Sequence, residues 1–229
     1  MREAETGNPT TPVRVPIGDE WLFGDLGVPA GARGIVLFAH GSGSSRHSPR
    51  NQHVARVLER HGLATLLIDL LTPGEEVIDD RTALYRFDIE MLAGRLVTIV
   101  DWLRHGKETA PLSIGLFGAS TGGGAALMAA AARPLDVAAV VSRGGRPDLA
   151  GPALANVAAP TLLIVGGLDT PVIQMNRDAM RRMRAEVTLE IVPGATHLFE
   201  EPGALEQVAE LASNWFSRHL QRALPIGNR

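Results

Sequence analysis

Ser120 stands at the centre of Gly118-Ala119-Ser120-Thr121-Gly122, with an apolar run before it and an Ala-rich stretch after it. Strand, tight turn and helix in that order make a Gly-x-Ser-x-Gly sequence a nucleophile elbow, where a strained turn lifts the serine above the end of a sheet. The flanking positions must be small because strand and helix nearly touch there. With 25 glycines and 9 serines in 229 residues, chance supplies roughly 0.1 such matches. A serine hydroxyl attacks poorly until a base takes its proton. Ser120 therefore needs a base, and the base needs an orienting acid.

Two other residues end apolar runs in the same way. Asp169 follows the run 161–165 in Gly166-Gly167-Leu168-Asp169, and His197 follows the last strand in Gly194-Ala195-Thr196-His197. Taken singly, Asp169 serves equally well as the cap of a helix beginning near Pro171. His197 taken singly is an ordinary loop histidine, although of the seven histidines it alone falls in the loop directly after the final strand. Taken together, His197 is the general base and Asp169 holds its tautomer and stabilises its positive charge. A fourth segment, His40-Gly41-Ser42-Gly43, follows the first long apolar run. Acyl attack creates an oxyanion that needs preorganised donors, and the backbone N–H groups of Thr121 and Ser42 are the expected pair. His40 is expected to hold that loop in shape instead of doing chemistry.

The elements that must carry these residues can be read from hydrophobic periodicity. Apolar runs at 35–39, 65–68, 112–117, 137–141 and 161–165 have strand length and lack alternation, the mark of parallel strands buried on both faces. Residues 189–192 alternate, as a half-exposed late strand does. Between the runs the period becomes helical: Val54, Val57 and Leu58; then Ile89, Leu92, Leu96, Ile99 and Leu103; finally Leu205, Val208, Leu211, Ala212 and Trp215. Residues 13–17 and 21–26 form an antiparallel pair about a Gly18-Asp19 turn. Alternating strands and helices of this kind wind into a three-layer α/β/α sandwich with a mostly parallel sheet. In such sheets ligands sit at the carboxyl ends of the strands, where Ser120, Asp169, His197 and Ser42 all fall.

The chain reads as a single domain over 1–229 with an ordered core of about 12–222 and a frayed end at 225–229. The net charge of −3 gives no electrostatic case for a nucleic-acid partner. The absence of cysteine excludes disulfides, thiolate metal sites and a cysteine nucleophile. No histidines are paired at ligand spacing, so no metal site is expected. Residues 1–12 carry no apolar signal core, and the longest apolar stretch, 125–132, falls short of the ~20 residues of a bilayer span. A soluble, cytoplasmic protein with no membrane partner is the expectation. The sequence does not speak to oligomeric state.

These four segments together resemble the α/β-hydrolase superfamily and, within it, the dienelactone hydrolase-like group, over about residues 13–220. The chain order Ser, Asp, His is also that of α/β-hydrolases. The resemblance implies a Ser120/Asp169/His197 triad, a backbone oxyanion hole and no cofactor. Dienelactone hydrolases proper carry cysteine where this chain has Ser120, which points to ordinary serine carboxylesterase chemistry on small or medium esters. Thioester, lactone, amide and C–C bond cleavage would use the same residues, and a catalytically silent binding protein on this fold is the reading from another class.

For the substrate, residues 143–160 are too few for a substantial cap, so the pocket is expected to be open. Arg143 follows a strand and is expected at the pocket rim, with Arg46 and Arg50 in the loop beyond Ser42. Guanidinium forks suit carboxylates, so Arg143 and Arg46 are candidate contacts to acidic esters or lactones. Solvated or structural roles, such as pairing with Asp69 or Asp148, weigh more than substrate contact, since only one of the 22 basic residues, Lys107, is lysine. Residues 73–86, with Glu75, Glu76, Asp79 and Asp80, are expected to form a mobile pocket wall.

Overall fold

Alternate residues of each central strand feed two separate cores, and that division sets the three layers. In the computed structural model, which describes residues 10–220, Ile35, Leu37 and Ala39 of β3 (Gly34–Ala39) join one core, while Val36 and Phe38 join the other. The first core is closed by α3 (Ile89–His105) and α4 (Thr121–Ala132), the second by α1 (Pro49–Arg60) and α6 (Ala204–His219). With both faces covered, the central strands are mostly apolar on both sides. Residues 1–9 and 221–229, and with them the fraying expected at 225–229, lie outside the described residues.

The remaining strands are β1 (Thr10–Ile17), β2 (Glu20–Gly27), β4 (Ala64–Ile68), β5 (Ser113–Ala119), β6 (Val137–Arg143), β7 (Thr161–Gly166) and β8 (Val187–Val192). They form one eight-stranded sheet in the order β1-β2-β4-β3-β5-β6-β7-β8. Strands β1 and β2 run antiparallel to their neighbours and all other pairs are parallel. Ile17 pairs with Glu20 across the two-residue turn, and Gly18 supplies its positive φ of 58°. The edge position of β8 explains its half-exposed residues.

One irregularity re-aims a side chain that matters for the site. Ile114 pairs with Val137 but Gly115 pairs with Ala139, so β6 carries an extra residue at Ala138. Val137 and Val140 then face the α4 core while Ala139 and Val141 face the α1/α6 core. Such bulges reverse the phase of everything beyond them. Arg143 consequently shares the α1/α6 side of the sheet with Val141.

One segment differs from its expected form, and another has the form expected of it. Residues expected to be a mobile wall include the helix α2 (Pro73–Thr82), closed at its start by a capping box in which Thr72 Oγ1 accepts from Glu75 N–H and Glu75 accepts from Thr72 N–H. Glu75 also binds Arg95 of α3, whose Nη1 donates to the Leu70 carbonyl at 2.7 Å. Between β6 and β7 lies a 3₁₀ segment, Pro147–Asn156, with Gly151 as a kink. It packs on α4, where a side chain on Gly124 would lie 2.9 Å from Leu149 Cβ, so it is no cap.

The helix α5 (Thr170–Met180) completes the chain's six α-helices among the described residues. No helix among them is long and apolar enough to cross a membrane.

Candidate active site

Ser120 sits between β5 and α4 with φ 51° and ψ −120°, a region that side chains other than glycine rarely occupy. The turn is held from both directions: Ser120 N–H donates to the Arg143 carbonyl at 3.2 Å, and Arg146 N–H donates to the Ser120 carbonyl at 3.0 Å. The tightness behind the glycines is measurable. A Cβ on Gly118 would lie 2.5 Å from the Gly122 carbonyl, and one on Gly122 would lie 2.2 Å from the Ala39 carbonyl.

The three residues expected to act together do meet. His197 Nε2 lies 3.4 Å from Ser120 Oγ, and His197 Nδ1 lies 2.6 Å from Asp169 Oδ2. With Nδ1–H donating to the carboxylate, Nε2 is left as the acceptor that faces the serine. Asp169 does precede α5, but its side chain makes no capping bond there. Its carboxylate is directed to His197 instead. The loops bearing the two residues are tied together, since Leu168 N–H donates to the Ala195 carbonyl at 2.9 Å.

The β3–α1 loop lies against the elbow: a Cβ on Gly41 would be 3.2 Å from Ser120 Cβ. His40 shapes this loop as expected. Leu70 N–H donates to His40 Nε2 at 3.0 Å, which leaves Nδ1–H to donate to the Gly41 carbonyl at 3.0 Å. Burial pushes the imidazole pKa below its usual 6.5. The fold thus favours neutral His40, a contribution complete above pH about 6.5 and lost as the pH falls toward the lower folded value. The melting temperature of the wild-type protein is expected to drop more steeply below that pH than that of His40→Asn. Parallel unfolding curves between pH 7.5 and 5 would contradict this.

The cleft over Ser120 has a volume of about 230 Å³ and is lined also by Ser42, Ser48, Arg50, Asn51, Arg143, His197 and Leu198. No residue of the 3₁₀ segment contributes to it. Arg46, a candidate substrate contact from sequence, is not part of this lining. Its guanidinium is held by Asp69 and by Asp25 at 3.4 Å, and its N–H donates to Asp69 at 2.7 Å. Arg46 is a structural tie between loop and sheet. Arg50 belongs to the first turn of α1 and not to the loop; its Nη1 is 3.5 Å from Glu200.

Arg143 is in the cleft wall but is buried, only 6% exposed, and not at the rim as expected. Its Nη2 donates to Asn51 Oδ1 at 3.3 Å, its guanidinium lies 5.9 Å from the centre of the Phe199 ring, and its Nε has no partner. Among the described residues no carboxylate is bonded to it. Burial, reinforced by the positive charge of Arg50, pulls its pKa down to about 10, so it remains a cation at neutral pH. Asn51 and Ser48 carry no signal in the sequence that places them at a cleft. Ser48-Pro49 is a helix-start signal, but nothing in it tells which face of that helix meets a cleft.

An open α/β sheet with a serine elbow, an acid after β7 and a histidine after β8 is the arrangement of an α/β-hydrolase. The chain belongs to the Dienelactone hydrolase family, whose pattern it matches over residues 24–222. It is similar to the dienelactone hydrolase from Anabaena variabilis, with 63% identity, 93% of this chain and 98% of that chain covered, and a TM-score of 0.91. It is 57% identical over 215 residues to a Mycobacterium tuberculosis protein named "Putative phosphoribosyl transferase", covering 94% of this chain and 48% of that one. The chain thus spans about half the length of the curated relatives it matches. Est1E from Butyrivibrio proteoclasticus shares the fold at 16% identity and a TM-score of 0.75, with 91% of this chain and 98% of that one covered.

Among the described residues no three His, Cys, Asp or Glu side chains are grouped to hold a metal ion.

Proposed function

We propose that the protein is a serine hydrolase that cleaves small to medium carboxylic esters through an acyl-enzyme. The observation that carries this reading is the Ser120–His197–Asp169 relay, with contacts of 3.4 and 2.6 Å, on a serine held at φ 51°. Ser120 Oγ attacks the acyl carbon as its proton passes to His197 Nε2. The oxyanion is met by the Thr121 N–H, which belongs to the first turn of α4 and has no partner within the helix. The resulting imidazolium, stabilised by Asp169, protonates the departing alkoxide. Water, deprotonated by His197, then releases the acid and restores the serine. A lactone is an internal ester opened by the same attack, which accords with the name of the Anabaena relative.

Labelling with a fluorophosphonate tests the assignment. The wild-type protein is expected to be labelled once, at Ser120, and Ser120→Ala not at all. A panel of p-nitrophenyl esters of short and long acyl chains then reads the preference for chain length. A protein that neither labels nor hydrolyses any ester would be the silent binding protein instead.

Arg143 extends the reading to the substrate. A buried guanidinium without a carboxylate, in the wall of the nucleophile's cleft and beside Arg50, is suited to the anionic group of an acidic ester or lactone. A hydrogen bond to a charged group is worth about 1.5–3 kcal/mol. Arg143→Ala is therefore expected to lose about 10- to 100-fold in kcat/KM on a hemisuccinate-type ester while a neutral ester of equal length loses little. Equal losses on both would remove Arg143 from substrate selection.

A further inference from the structure

The N–H of Ser42, the second expected oxyanion donor, is already engaged: it donates to Thr121 Oγ1 at 2.9 Å. The peptide that carries it is pinned at both ends. Its carbonyl, on Gly41, accepts from His40 Nδ1–H at 3.0 Å, and the His40 tautomer is set by the Leu70 N–H on Nε2. In a trans peptide the N–H points opposite to the carbonyl, so the Gly41–Ser42 unit is a fixed plate whose N–H is held toward Thr121.

The consequence falls on the hydroxyl. Thr121 is buried, 6% exposed, and its Oγ1 has used a lone pair on the Ser42 N–H. A hydroxyl that accepts one bond keeps its proton to donate. Among the described residues no acceptor takes that proton. Oγ1 is separated by three bonds from the Thr121 amide nitrogen, the donor directly after the nucleophile. An oxygen positioned between the backbone N–H groups of Thr121 and Ser42 therefore lies beside this hydroxyl. The site is also the N-terminus of α4, where a developing negative charge is favoured.

We propose that the Thr121 hydroxyl is a catalytic oxyanion donor, oriented by the Ser42 N–H and acting beside the Thr121 backbone N–H. This rests on the hydrolase reading above. In the ground state the hydroxyl accepts from Ser42; as the carbonyl oxygen gains charge, Oγ1–H donates to it, and the proton stays on the threonine throughout. The Ser42 bond to Oγ1 strengthens that donation by polarising the hydroxyl.

Removing one oxyanion donor costs about 10²–10³ in kcat. Thr121→Val, which keeps the shape and loses the oxygen, is expected to lower kcat on p-nitrophenyl acetate by about 100-fold with KM within about threefold. Thr121→Ser is expected to recover most of the loss. Thr121→Ala paired with Thr121→Ser differs only in the hydroxyl oxygen and reads the same effect if the valine variant fails to fold. A trifluoromethyl ketone, whose adduct carries the oxyanion, should bind more weakly to Thr121→Val in proportion to kcat/KM. A valine or alanine variant as fast as the wild type, or faster, would overturn the proposal, because the hydroxyl would then merely occupy the Ser42 N–H. If the wild-type protein is not labelled and hydrolyses no ester, the hydrolase reading itself fails; if it does both and Thr121→Val matches it, only the role of the hydroxyl falls.

Discussion

Ser120→Ala is expected to lower kcat on p-nitrophenyl esters by at least about 10⁴-fold, with the fold and the melting temperature retained. Without the hydroxyl no acyl-enzyme forms, and what remains is the modest catalysis of water by the donors and the bound geometry. The fold should tolerate the change because Ser120 Oγ has a single partner among the described residues, His197 Nε2 at 3.4 Å. The turn itself is held by backbone bonds to Arg143 and Arg146, which alanine keeps. Alanine does retain the strain of φ 51°, and the strand and helix that impose it are unchanged. Stopped-flow measurement of p-nitrophenol release decides the matter: a burst in the wild type and none in the variant. An alanine variant that turns over at the wild-type rate would remove Ser120 from the chemistry.

Asp169→Asn is expected to cost about 10⁴-fold in kcat, close to 5.5 kcal/mol of barrier. The carboxylate accepts Nδ1–H of His197 at 2.6 Å, which leaves Nε2 unprotonated toward Ser120. An amide NH₂ in that place donates to Nδ1, moves the ring proton to Nε2 and removes the base. The amide is nearly the same size, so KM should move by only a few fold. The cost is electronic and not steric. Fluorophosphonate labelling should become slow but still end at Ser120. If Asp169→Asn kept the wild-type kcat, Asp169 would be only the residue before α5.

The contrast between Asp169 as a helix cap and Asp169 as the partner of His197 marks the limit of local sequence signals. Asp169-Thr170-Pro171 satisfies the local chemistry of a helix start, and α5 does begin there. The carboxylate nevertheless bonds across 28 residues to His197. Local propensity is a short-range property, whereas the direction of a side chain depends on which loop packs opposite. The Thr72/Glu75 capping box of α2 is the converse case. Its signal is entirely local, present in Thr72-Pro73-Gly74-Glu75, at the start of the segment expected to be a mobile wall.

The arginines divide in the same way. Arg46 and Arg143 are equivalent as letters, each on the C-terminal side of a strand-like run. Arg46 found Asp69 and Asp25, and Arg143 found no carboxylate at all. The difference traces to the extra residue in β6, which turns Arg143 to the α1 side of the sheet, where Asn51 and the cleft lie. A bulge of one residue leaves the hydrophobic pattern of 137–141 intact, because that strand is buried on both faces and has no alternation to disturb.

By itself the sequence determined the parallel sheet, the elbow and the order of the three candidate catalytic residues, because buried strands and tight glycine turns leave one-dimensional traces. Only the tertiary structure decided that Arg143 is a buried cation with no carboxylate partner among the described residues, that Arg46 is tied to Asp69 and Asp25 outside the lining of the cleft, and that the Ser42 N–H rests on the Thr121 hydroxyl. Those outcomes depend on contacts between segments 79 to 92 residues apart in two of the pairs involved, and no local pattern encodes which buried partner a polar group will meet.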